Sequence, residues 1–443
     1  MNVAIVGLGY VGVVTGACLA EKGHRVVGVD LDGGKVERLN AGIPPVHEAG
    51  LDSLLAKHCG DSLVATTDLG AAVRGSDISL IAVGTPTSEG RIDLSHVQSA
   101  ALEIGGLLAD MDGYHVVAVK STVVPGTTDS VVLNALESAS NKRAGVDFGL
   151  GVNPEFLTEG TAVDDFMNPD RIVVSGVDER SAKALEELYS EFPGVPVLVT
   201  SNKAAELIKY ASNALLATMI SFSNEIADVA SSLGGVDVVD VMRGVHESRY
   251  LTTVEGEKRI AAGITTFLAA GCGFGGSCLP KDVTALAGHG EDAGLEMRIA
   301  RAVLDVNASR PAQLLALLAR HFNSLDGVRV TVLGLAFKPD TDDVRESPAI
   351  PVVERLLAAG ADVTVHDPVA SDAAAKLWSG RVTPSAELEE SVAGAEAIVL
   401  ITRWADYGRL AEILDAAEAD PVVVDGRRML KPADFQRYEG IGL

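Results

Sequence analysis

An apolar run, Asn2 to Gly7, leads directly into Gly7-Leu8-Gly9-Tyr10-Val11-Gly12, and a second apolar run from Val13 to Lys22 follows and stops at Gly23. A strand that feeds a helix through three glycines at this spacing leaves few folds open. Gly7 supplies the tight turn, Gly9 lets backbone approach a pyrophosphate, Gly12 allows close helix packing, and the helix N-terminus favours phosphate. Arg25 to Val29 reads as a second strand with Asp30 at its end, where a carboxylate accepts hydrogen bonds from ribose hydroxyls. That acid, with no arginine directly after it, favours NAD over NADP because it would repel a 2′-phosphate. Tyr10 and Val11 belong to the same cofactor turn, and Lys35 lies in the next turn, within reach of the adenosine side.

The alternation continues. Asp77 to Val83 ends in Gly84-Thr85-Pro86-Thr87, and His115 to Val119 ends in Lys120-Ser121-Thr122. Strands alternating with helices predict a parallel sheet, whose ligands sit at the carboxyl ends of strands, where Thr85 and Thr122 fall. The commoner role for either hydroxyl at such a place is to cap a helix. Gly149 to Val152 then delivers Asn153-Pro154-Glu155-Phe156-Leu157-Thr158-Glu159-Gly160. Glu155 and Glu159, four apart, would share a helical face, either as a general base beside a thiol or as surface carboxylates. Arg171 to Gly176 supplies one more strand, and the first domain is expected to span 1–200.

From Asn202 to Leu233 the pattern turns helical, with Leu207, Ile208, Ala211, Leu215, Met219, Phe222, Ile226 and Val229 spaced for a buried face. A helix of that length suggests a connector or a dimer-forming spine. Lys209 and Asn213, one turn apart on it, are as suited to a site as to solvent. Beyond a stretch without clean period, Val245 to Leu268, comes Gly271-Cys272-Gly273-Phe274-Gly275-Gly276-Ser277-Cys278-Leu279-Pro280-Lys281-Asp282. Bare glycine backbone would approach a ligand, and oriented N–H groups with Lys281 would lower the pKa of the Cys278 thiol. A glycine turn with a buried structural cysteine is the other reading. Val328 to Gly334 opens a second strand-helix unit in which Leu335-Ala336-Phe337-Lys338 replaces the phosphate turn. With Lys338, Arg345, Arg427 and Arg428 near strand ends, this last third suits a different phosphorylated ligand. The reading is α/β: two Rossmann-like doubly wound domains, 1–200 and 311–443, joined by a long central helix and a helical middle domain, 201–310.

Composition narrows the function. A net charge of −25 over 443 residues excludes nucleic acid and anionic membrane as partners. The cysteines at 18, 59, 272 and 278 show neither disulfide nor zinc spacing, so no metal is expected and reduced thiols fit a cytoplasmic enzyme. Met1 to Ala20 lacks a basic start and is broken by glycines, unlike a signal peptide or membrane helix.

Taken in order, Gly7 to Gly12, Gly84-Thr85-Pro86-Thr87, Ser121-Thr122, Asn153-Pro154-Glu155-Phe156-Leu157, Lys209 to Asn213, the Gly273 to Asp282 loop, and Phe337-Lys338 with Arg345-Glu346-Ser347 resemble the UDP-glucose/GDP-mannose dehydrogenase family nearly end to end. The resemblance implies a four-electron oxidation of the C6 alcohol of a nucleotide sugar to a carboxylate with reduction of two NAD, through a cysteine thiohemiacetal and thioester. It implies Cys278 as nucleophile, and Lys209 and Asn213 as stabilisers of oxyanions. Asp282 would orient Lys209 or a water, Glu155 would be the base for hydrolysis, and Glu159 and Thr122 its water-holding and cofactor-side partners. Asp30, Lys35, Thr85, Thr122, Glu159 and Arg345 match the cofactor contacts. Glu155, Phe156, Leu157, Lys209, Asn213, Arg259, Phe267, Phe274, Gly275, Phe337, Lys338 and Arg427 match contacts to the nucleotide sugar. Six residues separate Arg259-Ile260 from Phe267-Leu268, longer than the family's spacing, which leaves Arg249 as a second candidate for the arginine that reaches a partner subunit's substrate. Gly-Gly-Ser-Cys is similar to the glucose and mannose branches, so UDP-glucose is the expected substrate and GDP-mannose or dTDP-glucose the alternatives. A two-electron dehydrogenase of the 6-phosphogluconate or 3-hydroxyacid type is the more distant one.

Overall fold

Short runs of valine, isoleucine and leucine, apolar on both faces, form strands only where both faces of a sheet are covered. In the computed structural model, which describes residues 1–88, 90–256 and 258–443, they build a sheet in each of two units, Met1–Ser212 and Asn213–Leu443.

In the first unit the strands are β1 (Asn2–Val6), β2 (Arg25–Val29), β3 (Leu63–Thr66), β4 (Ile78–Ile81), β5 (Val116–Val119), β6 (Gly149–Val152), β7 (Ile172–Gly176) and β8 (Val197–Thr200). Their order is β8-β7-β6-β5-β4-β1-β2-β3, parallel except where β6 meets β7. Val6 of β1 aligns with Val29 of β2 on one side and Ile81 of β4 on the other, so strand order reverses at β1, the point at which such sheets bind ligands. Val3 and Ile5 pack into one core with helix α1 (Tyr10–Glu21), while Ala4 and Val6 turn to the other face. Helix α2 (Ala162–Met167) also packs on α1.

The boundary between the units falls inside α3 (Asn202–Leu233), which runs the length that periodicity predicts. Its faces are not those expected. Leu207, Leu215, Phe222 and Val229 are 45%, 60%, 52% and 53% exposed, whereas Ala205, Tyr210, Ala217, Ser221, Asn224, Ala227 and Ala230 are buried. Small residues let neighbouring backbone come close, and Asn224 uses its amide oxygen to accept the Gly271 N–H at 2.8 Å.

The second unit continues through α4 (Val238–His246), an antiparallel hairpin of β9 (Thr252–Glu255) and β10 (Lys258–Ala261), α5 (Leu279–Asp292) and α6 (Arg298–Leu318). A six-stranded parallel sheet follows, β11 (Arg329–Leu333), β12 (Asp362–His366), β13 (Thr383–Ser385), β14 (Ala397–Leu400), β15 (Val422–Asp425) and β16 (Tyr438–Gly440), in the order β13-β12-β11-β14-β15-β16. This repeats the first unit's topology with different chemistry. Asp367, just after β12 as Asp30 is just after β2, is 2% exposed, and its carboxylate accepts the N–H groups of Leu335 and Ala336 at 2.8 and 3.0 Å and the indole N–H of Trp404 at 3.1 Å. Its Oδ2 is thus engaged by three protein donors.

Candidate active site

In the first unit the glycine turn is fixed by contacts that no other residue tolerates. Gly7 has φ of +104°, and a Cβ there would lie 2.7 Å from the Ala82 carbonyl oxygen; a Cβ on Gly12 would lie 1.9 Å from the Gly7 oxygen. Gly9 differs, with nothing within 4 Å of where its Cβ would be. That open face, the uncapped start of α1 and the absence of acidic residues from its first turn suit a pyrophosphate. Asp30 accepts the Leu8 N–H at 2.9 Å and the Asp32 N–H at 3.0 Å, so it braces the turn, and Lys35 stands 3.7 Å from it. The residues fit a dinucleotide with a free 2′-hydroxyl.

At the neighbouring strand ends Thr85 donates its hydroxyl to the Thr122 carbonyl at 2.9 Å, and Ser121 donates to the Val83 carbonyl at 2.7 Å. Thr85 thus ties two loops together. It does not cap a helix. Residues 153–158 have no regular structure, which overturns the helical face expected for Glu155 and Glu159. Pro154 opposes helix at Asn153. The N–H groups of Leu157, Thr158, Gly160 and Ala162 are then accepted by the carboxylates of Glu155, Asp165, Glu48 and Glu48, not by helical carbonyls.

Glu155 is 6% exposed, so it is no surface carboxylate. Its Oε1 pairs with Lys209 Nζ at 2.7 Å, and its Oε2 accepts the Leu157 N–H at 2.7 Å. Burial pushes this carboxyl up, but Lys209, the Leu157 N–H and the charge of Lys120 outweigh it and hold the group below the usual range. Phe156 lies under the Arg171 guanidinium at 4.2 Å and within 5.7 Å of Lys209 Nζ, while Leu157 packs on the core. Lys120, which sequence reading passed over, is 2% exposed and donates to Asn153 Oδ1 at 3.1 Å. Burial brings its ammonium down to about 8, opposed by Glu155 and reinforced by Lys209.

In the second unit Asp282, 1% exposed, accepts the Asn213 amide at 2.6 Å on one oxygen and the Lys281 ammonium at 2.6 Å on the other. Cys278 immediately precedes α5 and is half-buried, with its sulfur 3.6 Å from the Ser277 hydroxyl. A helix N-terminus favours a thiolate there. Part of the glycine stretch before it, read from sequence as backbone bared for a ligand, is engaged by the protein itself. The N–H groups of Gly271, Cys272, Phe274 and Gly276 are bonded to Asn224, Gly426, Asn307 and Arg345. A Cβ on Gly275 would lie 2.2 Å from the Glu346 oxygen, and one on Gly276, whose φ is +83°, 2.7 Å from the Phe337 ring.

Arg427 braces the same loop, donating to the Gly273 and Ile401 carbonyls at 3.0 and 2.6 Å. Lys338 Nζ lies 5.9 Å from the Phe337 ring, and Arg345 forks onto Asp343 at 2.6 and 2.9 Å. Arg259 sits on exposed β10 and donates to the Glu247 carbonyl at 3.2 Å; Phe267 is 50% exposed in a short 3-10 turn, and Arg249 faces solvent. A cavity of about 680 Å³ in this unit is lined by Met242, Arg243, His246, Arg259, Arg403 and Arg428 among others. Sequence reading missed His246 and Arg403, which sit in no motif. Among the described residues no helix is long and apolar enough to cross a membrane, and no group of three metal-ligating side chains occurs.

Comparison with known proteins accounts for both units. Residues 1–193 match the NAD binding domain of the UDP-glucose/GDP-mannose dehydrogenase family, 203–309 its central domain and 331–432 its UDP binding domain. The chain is 41% identical, over all of both chains, to the UDP-glucose 6-dehydrogenase AglM of Haloferax volcanii. It is 39% identical, over 83% of this chain and 81% of the other, to the GDP-mannose 6-dehydrogenase of Pseudomonas syringae pv. syringae. The solved structure of a UDP-glucose dehydrogenase from the hyperthermophilic archaeon Pyrobaculum islandicum superposes with a TM-score of 0.91 at 41% identity, covering 99% of this chain and 97% of that one. Three domain matches in order along the chain and relatives at about 40% identity over its full length make this a member of the UDP-glucose/GDP-mannose dehydrogenase family, an NAD-dependent oxidoreductase of nucleotide sugars.

Proposed function

We propose that the chain oxidises the C6 alcohol of UDP-glucose to the carboxylate of UDP-glucuronate through an acyl-enzyme on Cys278. The observation that carries this reading is the half-buried thiol at the start of α5, in the same unit as an amide donor, Asn213, clamped by buried Asp282. NAD, when bound, supplies the hydride acceptor. The protein's part follows from its groups. Loss of the hydroxyl proton and of a hydride from C6 leaves an aldehyde, to which the Cys278 thiolate adds. The C–S bond that forms keeps the half-oxidised sugar from diffusing away. Asn213 and Lys209 stabilise the oxygen that gains charge in this addition and again in the hydrolysis of the thioester left by the second hydride loss. Glu155 takes a proton from the attacking water, the C–S bond breaks, and carboxylate and thiol are released.

Further assignments are part of the same proposal. The cation-lined cavity of the second unit receives the nucleotide end, with Arg403 and Arg428 drawn from the segment matched by the UDP binding domain. Phe274, Lys338 and Arg427 contact the substrate, and Thr122, Glu159 and Arg345 serve the cofactor. The active species is a homodimer through α3, and the four cysteines, joined by no disulfide, fit a reducing cytoplasm.

UDP-glucose is preferred because the relative AglM and the Pyrobaculum islandicum structure, both 41% identical over nearly the whole chain, are named for it. NADH formation measured with UDP-glucose, GDP-mannose and dTDP-glucose tests both substrate and mechanism. UDP-glucose should give the highest kcat/KM and two NADH per sugar, and Cys278→Ser should stop after the first. One NADH per sugar from the unaltered enzyme, or normal acid release by Cys278→Ser, overturns the acyl-enzyme.

A further inference from the structure

Glu48 lies in no motif, between Pro44-Pro45 and the helix that starts at Leu51, yet it is 3% exposed. A buried carboxylate without good partners is expensive, so its contacts report what it is for. Among the described residues its oxygens are held by neutral donors alone. The Tyr10 hydroxyl and the Gly160 N–H, the latter at 2.7 Å, meet Oε2, and the Ala162 N–H meets Oε1 at 2.8 Å. Gly160 N–H also reaches the Tyr10 oxygen at 3.2 Å. These donors come from two places. Tyr10 is the first residue of α1, immediately after the phosphate turn. Gly160 and Ala162 follow Glu159 and lead into α2, at the end of the segment that begins with Glu155.

We propose that Glu48 is a positioning residue that locks the phosphate turn onto the segment 155–162, so that cofactor binding and the setting of Glu155 and Glu159 depend on each other. The cofactor half of this inference rests on the NAD domain alone, whereas the catalytic half rests on the roles proposed above for Glu155 and Glu159. The geometry is specific to a carboxylate. Two oxygens must accept from three donors, and Gln would present an N–H to one of them. The side chain of Tyr10 is consumed by this contact, which leaves its backbone N–H for a phosphate. Burial, and after it the hydrogen bond to Glu48, push the phenol far above its ordinary range, so it stays a donor at every working pH.

The test is direct NAD titration, by calorimetry, of Glu48→Gln, Tyr10→Phe and the double variant in the full-length enzyme. Each single variant should weaken NAD about tenfold, a loss of about one charge-assisted hydrogen bond, and the double should be no weaker than Glu48→Gln alone because the two act as one unit. In turnover the KM for NAD should rise and kcat fall, with the KM for the nucleotide sugar unchanged. A purely structural staple would lower Tm and leave the NAD affinity of the folded fraction as it was; that result overturns the proposal. Should Glu48→Gln fail to fold, Tyr10→Phe, which removes a single hydroxyl, decides alone, and unchanged NAD affinity in it is equally fatal. If NAD weakens in both variants while Glu155→Gln keeps full turnover, the lock stands and the proposed roles of the acids fall.

Discussion

The ammonium of Lys209 stands 2.7 Å from Oε1 of Glu155, with both side chains about 95% sealed from solvent, at 4% and 5% exposure. One cation cannot neutralise two anions at once. In the proposed reaction Lys209 is also the ammonium that faces an oxyanion, and when it does so Glu155 loses the partner that holds its pKa down while keeping the burial that pushes it up. The carboxylate then becomes a stronger base in the step that needs one. Before that step it is an ion pair and inert.

Stability and activity should therefore separate at this pair. Glu155→Leu alone leaves buried Lys209 beside Lys120 without its partner and should cost about 3–5 kcal/mol, Lys209→Met should cost less because Lys120 and the Leu157 N–H still face Glu155, and the double variant should cost less than the sum of the two. Turnover should fall by at least about 100-fold in all three. Denaturant melts read as a double-mutant cycle, with steady-state rates on the same samples, check this; additive destabilisation would remove the ion pair from the argument.

Lys120 makes a prediction about pH. Its folded pKa, about 8, lies below the roughly 10.4 of an unfolded lysine, because burial outweighs the attraction of Glu155 and Lys209 adds repulsion. Between those values the unfolded chain binds more protons, so stability contributed at this site rises with pH across about 8 to 10.4, and the full penalty, on the order of 3 kcal/mol, is present below pH 8. Lys120→Met should thus melt higher than the unaltered enzyme at pH 7, and the gap should shrink as pH is raised to 10. Without this cation the Glu155 carboxyl should also rise, moving the acid limb of the kcat profile to higher pH.

These acids and cations show where sequence reading succeeds and where it stops. Gly7, Gly12 and Asp30 were legible because a turn, a close helix and a strand end are local, and their spacing is set by backbone geometry. The length of α3 was legible for the same reason, but its inward face was not. Periodicity assigns large apolar residues to the core, and here Ala217, Ala227 and Ala230 are buried while Leu215 and Phe222 face out. The spacing of Glu155 and Glu159 suggests a helix that does not form, since the donors of that segment are taken by Glu155, Glu48 and Asp165. Glu48 carries no local signal at all. Its backbone partners, Gly160 and Ala162, are 112 and 114 residues away.

Two glycines that look alike in sequence should behave in opposite ways. Gly9 has φ of −75° and nothing within 4 Å of its Cβ position, so Gly9→Ala should leave Tm unchanged and weaken NAD by placing a methyl where the pyrophosphate approaches. Gly276 combines φ of +83° with the Phe337 ring 2.7 Å from its Cβ position, so Gly276→Ala should lose about 1–3 kcal/mol of stability. Thermal melts with and without NAD distinguish them. Equal effects of the two on Tm would contradict the packing account of the cysteine loop.

The outward stripe of α3 carries the last prediction. In the second unit Leu215, Phe222, Val229 and Leu233 are 60%, 52%, 53% and 67% exposed, and their spacing of seven, seven and four residues keeps them on one side of the helix. Scattered apolar residues on a surface need no explanation, but a continuous line along one helix does. Two copies of the same helix packed face to face would bury every member of the line, and such an interface is self-complementary by symmetry. Charges placed in its middle would have no partner on the opposing copy. Leu215→Lys with Phe222→Lys should therefore convert a dimer into a monomer in light scattering, with little change in the Tm of the monomer because these side chains touch little of their own chain. An unaltered enzyme that scatters as a monomer at assay concentration, or a double variant that remains dimeric, would show that this stripe does not hold the subunits together.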